Sequence, residues 1–200
     1  MTDAKPGTLR PGGRTARVRA AVLKAAGDAL AESGFNELDL AEIARRAEVG
    51  KTTVYRRWST PAGLVADLLA DMAEQSLPRT ETGTLDGDLR ANARLVAKTL
   101  RDPRQGPLFK AVIAAATCDA EAAAALHRFY ATRIAEWAPC AQQAVERGDL
   151  PTGTDPHEVI RAVSAPLYYR LLATGEPLDE AAADQAAAAA AAAARAGAYT

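Results

Sequence analysis

Residues 38–58 read LDLAEIARRAEVGKTTVYRRW, and the fold turns on this stretch. Asp39 is a good helix N-cap, and Glu42 three residues on completes a capping-box pattern for a short helix over 40–47. Ile43, Ala44 and Ala47 form its inner face. Glu48-Val49-Gly50 make a three-residue break, and a second short helix fits 51–58, with Gly50 a weaker cap than Ser or Thr. Val54 and Trp58 lie four apart and turn inward together. Two short helices joined by a tight turn behind a longer helix make a helix-turn-helix. That geometry needs small residues where the helices touch, which Ala44 and Ala47 supply, while Val49 and Val54 plug the angle. The second helix has the size to enter a DNA major groove, about 12 Å wide. Its outward residues, Lys51, Thr52, Thr53, Tyr55, Arg56 and Arg57, suit phosphates and base edges.

On the N-terminal side, residues 1–13 (MTDAKPGTLRPGG) are rich in Pro and Gly and lack periodicity, which predicts a disordered arm. Lys5, Arg10 and Arg14 make it basic, and basic arms can reach the minor groove. From Arg14 the pattern turns helical, with Val18, Val22, Ala25, Ala26, Ala29 and Leu30 on one face and Gly34 at a C-cap position. Beyond the motif, Pro61 suits the first turn of a fourth helix running to about Glu74. A loop follows over 78–87, then five helical stretches at about 86–101, 105–117, 119–147, 155–173 and 179–196. Pro166 should kink the fourth of these. The last is nearly all alanine, the best helix former. No segment alternates as a strand should, so the fold class is all-α with about nine helices. The division is an arm (1–13), a three-helix helix-turn-helix domain (14–60, motif about 39–58) and a helical body (61–200).

Net charge is −1, but its distribution is uneven. Residues 1–60 hold eleven Lys and Arg against seven Asp and Glu, and residues 61–200 hold thirteen against eighteen. A basic head on an acidic body is expected if only the head meets phosphate. The alanine run is too short and weakly hydrophobic to span a bilayer, and no signal peptide is evident, so a cytoplasmic location without membrane contact is expected. Cys118 and Cys140 lack metal or disulfide-framework spacing, and His127 and His157 have no ligand partner at metal spacing. No nucleophile elbow, zinc-protease, P-loop or dinucleotide fingerprint appears, so neither an enzyme nor a cofactor is expected.

The 38–58 stretch resembles the recognition signature of the TetR family of transcriptional regulators. Gly34-Phe35 and WSTPAGL (58–64) extend the likeness over roughly 15–75, and APLYYRLLATGEPLDE (165–180) resembles the ligand-binding domain of one subgroup. The resemblance implies a dimer in which three helices bind a near-palindromic DNA operator. A fourth helix links them to a body that takes a small-molecule effector, and the last two helices pair between subunits. It implies DNA contact by Lys51, Thr52, Thr53, Tyr55 and Arg56. The sequence departs from the pattern at Glu48, where the family has a turn glycine, and there a left-handed backbone costs a non-Gly residue about 1 kcal/mol. It departs again at Gly50, Asp39 and Pro61.

Further expectations concern Arg45 and Arg46, on the first helix of the motif, either of which is a candidate to reach the DNA backbone, and the body. Met72, Phe109, Ile113, Phe129, Trp137 and Tyr168, with Tyr130 and Tyr169, are candidates to line a pocket. Val159, Val163, Leu167 and Leu171, with Ile160, Leu172 and the alanine face, are candidates for the dimer interface. The function these readings favour is a repressor released from DNA by its effector. The alternative is an all-α carrier or partner-binding module without specific DNA binding.

Overall fold

Polar caps set where most of the helices begin. Asp39, Thr60, Thr84, Asp119, Asp155 and Asp179 each accept a backbone N–H from the first turn that follows, satisfying donors that a helix start leaves unpaired. The computed structural model describes residues 12–76 and 78–200. They form α1 (Gly12–Ser33), α2 (Leu40–Arg46), α3 (Lys51–Arg57), α4 (Pro61–Glu74), α5 (Leu85–Arg101), α6 (Gln105–Ala116), α7 (Ala120–Glu146), α8 (Pro156–Tyr169) and α9 (Glu180–Arg195), with a π-helical turn at Arg170–Thr174. No strand occurs among the described residues, and no helix among them is long and apolar enough to cross a membrane. The all-α reading therefore holds. Lys5 and Arg10 lie outside the described residues, as does the side chain of Arg14. Helix α1 begins at Gly12, two residues before the periodic pattern, because glycines carry no apolar stripe to mark it.

One local expectation needs correction. Only half of the capping box forms: Asp39 Oδ1 accepts from Ala41 N at 3.0 Å. Glu42 does not reach back to the cap, because its carboxylate is taken by Arg45 (2.8 and 2.7 Å) and Arg46 (3.0 Å) one turn on. Pro166 lies inside α8, where the sequence reading put it. The helix runs through it and widens into the π turn, closed by Gly175 N donating to Arg170 O at 2.9 Å, with Gly175 in the left-handed region that glycine enters without strain. A second interior proline, Pro139, is likewise carried within α7.

Two hydrophobic cores result. One joins α1–α3 with Leu64, Val65, Leu68 and Leu69 of α4, Leu108 and Val112 of α6, and Ala125 and Leu126 of α7. The other joins α5, α8 and α9 with Phe109 and the second half of α7. Met72 and Phe129 touch both. The expected boundary at 60/61 is thus not where packing changes, since α4 completes the head's core and ties it to the body.

The alanine run packs α9 closely on α5 and α8 by burying Ala183, Ala187, Ala190, Ala191 and Ala194. Arg94 clamps Asp184 with two bonds of 2.8 Å, and Arg195 pairs with Asp86, so both ends of α9 are pinned to α5. This packing overturns part of the expected dimer surface. Val159, Val163 and Leu167 are 0% exposed within a single chain, so they are core residues with no surface to offer a partner, and Leu171 is half-buried. An i, i+4 apolar stripe marks a buried face but does not say whether the same chain or another covers it.

Candidate nucleic-acid interface and body cavity

Helix α2 buries Leu40, Ile43 and Ala44, and the turn after it is closed by Val49 N donating to Ala44 O at 3.0 Å. Glu48 in this turn has φ 55°, the one non-glycine residue in the left-handed region among the described residues. The strain expected from the missing glycine is therefore present. Helix α3 is only seven residues long, and Gly50 gives it no side-chain cap. Fully buried Val54 and nearly buried Trp58 anchor it instead.

Lys51, Thr52, Tyr55 and Arg56 project outward, Tyr55 being 49% exposed, and Thr53 is half-buried. Among the described residues none of the four has a side-chain hydrogen bond or ion pair, so their donors and charges are free for another molecule. Arg57 differs. Its Nε lies 3.7 Å from Asp67 Oδ2, and its guanidinium stacks 5.1 Å from the Trp58 ring centroid. It faces α4 rather than standing with the outward set, and the sequence pattern could not distinguish the two arginines. Arg45 is outward but forked onto Glu42, and Arg46 bonds Glu32 at 2.6 Å as well as Glu42. Hydrogen bonds from Arg45 and Arg46 hold the Glu42 carboxyl down at about 2. The positive field of α2 is therefore partly cancelled, and that of Lys51 and Arg56 on α3 is not.

Behind α3 lies a network absent from the sequence reading. Asp67 of α4 accepts from Trp58 Nε1 at 3.0 Å and from Arg19 of α1 at 2.7 Å. Arg19 also bonds Asp71, which takes Gln75 Nε2 at 2.7 Å. Burial pushes the Asp67 carboxyl up, but hydrogen bonds from Arg19 and Trp58 and the nearby Arg19 and Arg57 charges outweigh it and hold the group below its usual range. The i, i+4 spacing of Asp67 and Asp71 was legible as a shared helix face; their partner on α1 was not.

Asp71 and Gln75 also border a cavity of about 820 Å³ enclosed by α1, α4, α5, α6, α7 and α8. The expected residues Met72, Phe109, Phe129, Tyr130, Trp137 and Tyr168 line it. Ile113 does not, because it packs on the head's core, and Tyr169 faces solvent at 63% exposure. Four rings form a chain through the wall: Phe109–Phe129 at 5.5 Å, Phe129–Tyr130 at 5.4 Å and Tyr130–Tyr168 at 5.4 Å, the last two edge to face. Burial pushes the Tyr168 hydroxyl up to about 12 and Tyr130 higher still, so both are neutral. Asn92, missed in the sequence because a lone Asn amid apolar positions reads as surface, is a buried wall residue. No cluster of His, Cys, Asp and Glu able to hold a metal occurs among the described residues.

Comparison with known proteins bears on both regions. Residues 22–68 match the family model described as bacterial regulatory proteins, tetR family, and residues 79–190 match that of the tetracyclin repressor-like C-terminal domain. The chain is 32% identical over 161 residues to the HTH-type transcriptional regulator YdeS of Bacillus subtilis (strain 168), covering 80% of this chain and 81% of that one. It resembles the crystal structure of the TetR family transcription regulator SCO0332 with a TM-score of 0.70 and 30% identity, over 88% of this chain and 97% of that one. The fold is also that of SmeT in its triclosan complex, with a TM-score of 0.66 and 23% identity over 86% and 90% of the two chains.

Proposed function

The chain belongs to the TetR family of DNA-binding transcriptional regulators, and from that premise we propose that it is a dimeric repressor, acting in the cytoplasm, that a small molecule in the body cavity releases from a near-palindromic operator. The observation that carries the DNA half is the contrast on the head: Lys51, Thr52, Tyr55 and Arg56 stand free on α3 while Arg45, Arg46 and Arg57 are held by carboxylates. Free donors on a helix presented by a helix-turn-helix serve phosphate positioning and base-edge readout. Arg14, on the first turns of α1, is assigned to phosphate as well.

Dimerisation is assigned to the outer surface of α8, the π turn and α9. Large apolar Tyr169 and Leu172 are exposed there, and α9 offers the exposed small residues Ala181, Ala188 and Ala192. Such a surface favours close approach of a second copy. Leu171 sits at its edge. A two-fold pair sets the two α3 helices in successive major grooves about 34–36 Å apart.

Release follows from the shared position of α4. A ligand against Met72 and Gln75 bears on the same helix that holds Arg19, Trp58 and Arg57 through Asp67. It shifts the dimer only by its differential affinity for two head spacings. Selection of bound duplexes from a random pool, at fixed salt, tests the reading. Wild type should enrich a palindrome and Lys51→Ala/Tyr55→Ala should not; enrichment by neither, with the fold intact, overturns it. A monomer by light scattering at micromolar concentration overturns the dimer scheme.

A further inference from the structure

Two buried side-chain atoms, Asn92 Oδ1 and Trp137 Nε1, make no hydrogen bond among the described residues, and Tyr130 Oη has only the neighbouring Tyr168 hydroxyl beside it. All three residues line the cavity beside α4. Buried polar groups are nearly always paired, and two exceptions around one cavity ask for a common partner. Their chemistry is complementary. Trp137 Nε1 can only donate, Asn92 Oδ1 can only accept, and Tyr130 Oη can do either.

The charged residues of the wall give the opposite message. Arg104 pairs with Asp28, Lys24 with the same carboxylate at 2.8 Å, Asp71 with Arg19, and Arg133 with Glu136. Asp102 is spent on the backbone N–H groups of Arg104 and Gln105 at 2.9 Å each. Lys98, the wall cation without an ion-pair partner among the described residues, stands in solvent, so an ion buried against the aromatic rings would meet no desolvated counter-charge, and desolvating an unpaired ion is costly. The chain of rings from Phe109 to Tyr168 suits flat apolar surface stacked edge or face.

Resting on the reading of the cavity as the effector site, we infer that its ligand is a neutral, largely aromatic molecule carrying both a hydrogen-bond acceptor, for Trp137, and a donor, for Asn92. The ligand supplies the partners that the fold withholds from these side chains. Asn92 is therefore kept at a cost to the free protein.

Calorimetric titration of the full chain with a matched series decides this: naphthol, methylnaphthalene, naphthoate and naphthylmethylammonium, which share a ring system and differ in charge and hydrogen bonding. Naphthol should bind about tenfold or more tighter than either ion, and several-fold tighter than methylnaphthalene. Asn92→Leu and Trp137→Phe should each bring naphthol and methylnaphthalene toward parity. Asn92→Leu should also raise the Tm of the free protein by roughly 2–4 °C, because an unsatisfied buried amide is removed. An ion binding as tightly as naphthol, methylnaphthalene matching naphthol in wild type, or no binding by any probe overturns the inference. The same samples titrated with operator DNA separate it from the effector reading. Naphthol binding in the expected pattern without change in DNA affinity sinks the effector reading and leaves the ligand class standing. DNA release by an ion alone does the reverse.

Discussion

The head and the body expose their functional groups by opposite means. On α3 the free groups are charged or hydroxylic and stand in water, where leaving them unpaired costs little. In the cavity wall the buried atoms without a partner among the described residues are neutral. A reader of phosphate can hold its charges in solvent because the partner brings the opposite charge. A receptor for a small molecule must instead exclude water, so its specificity is written in desolvated atoms.

The contrast can be broken most directly at α3. Lys51→Ala/Tyr55→Ala should lower operator affinity about 100-fold or more in a dimer and flatten its dependence on salt, since two groups per subunit are lost. Binding in the cavity, followed by calorimetry, should be unchanged. A parallel loss of cavity binding would show that the two regions are not separately built.

The next largest effect lies where they join. Asp67→Ala strands Arg19, Trp58 and Arg57 and should destabilise the chain by about 1–3 kcal/mol in urea unfolding. Its pH dependence has a definite sign. The carboxyl titrates lower in the folded chain than in the unfolded one, so its contribution is present above the unfolded value, about 3.9, and fades as pH falls through the folded value. Wild type and variant should therefore converge in acid. A gap that persists there would assign the loss to packing.

A smaller effect tests the turn. Glu48→Gly relieves a left-handed backbone costing about 1–2 kcal/mol, less the 0.5–1 kcal/mol of freedom that glycine restores to the unfolded chain. A net gain of about 0.5–1 kcal/mol in chemical denaturation is expected. A loss would mean that the Glu48 side chain contributes more than its backbone forfeits.

The smallest effect is a labelling pattern. Cys118 is exposed, whereas burial pushes the Cys140 thiol in the body core up to about 11. A disulfide reagent at mildly alkaline pH should titrate one thiol in the folded chain and both after unfolding. Two fast thiols would mean that the second core opens far more readily than its packing implies.

The sequence by itself determined the helix count, most helix ends, the helix-turn-helix and four of the six residues expected to face outward on α3. Those features follow from local periodicity, caps and turn residues, which act over four or five positions. Six of the eight expected cavity residues were also legible, because large aromatics in a chain with few of them are economical markers of a cleft. What only the tertiary structure decided is which molecule covers each face. Val159, Val163 and Leu167 carry the same apolar pattern whether their own chain or a second one buries them, and Arg56 and Arg57 are equal until Asp67 arrives from α4. Asn92 and Arg19 acquire their roles from partners on other helices. Periodicity encodes that a face is buried, and long-range packing alone supplies what it is buried against.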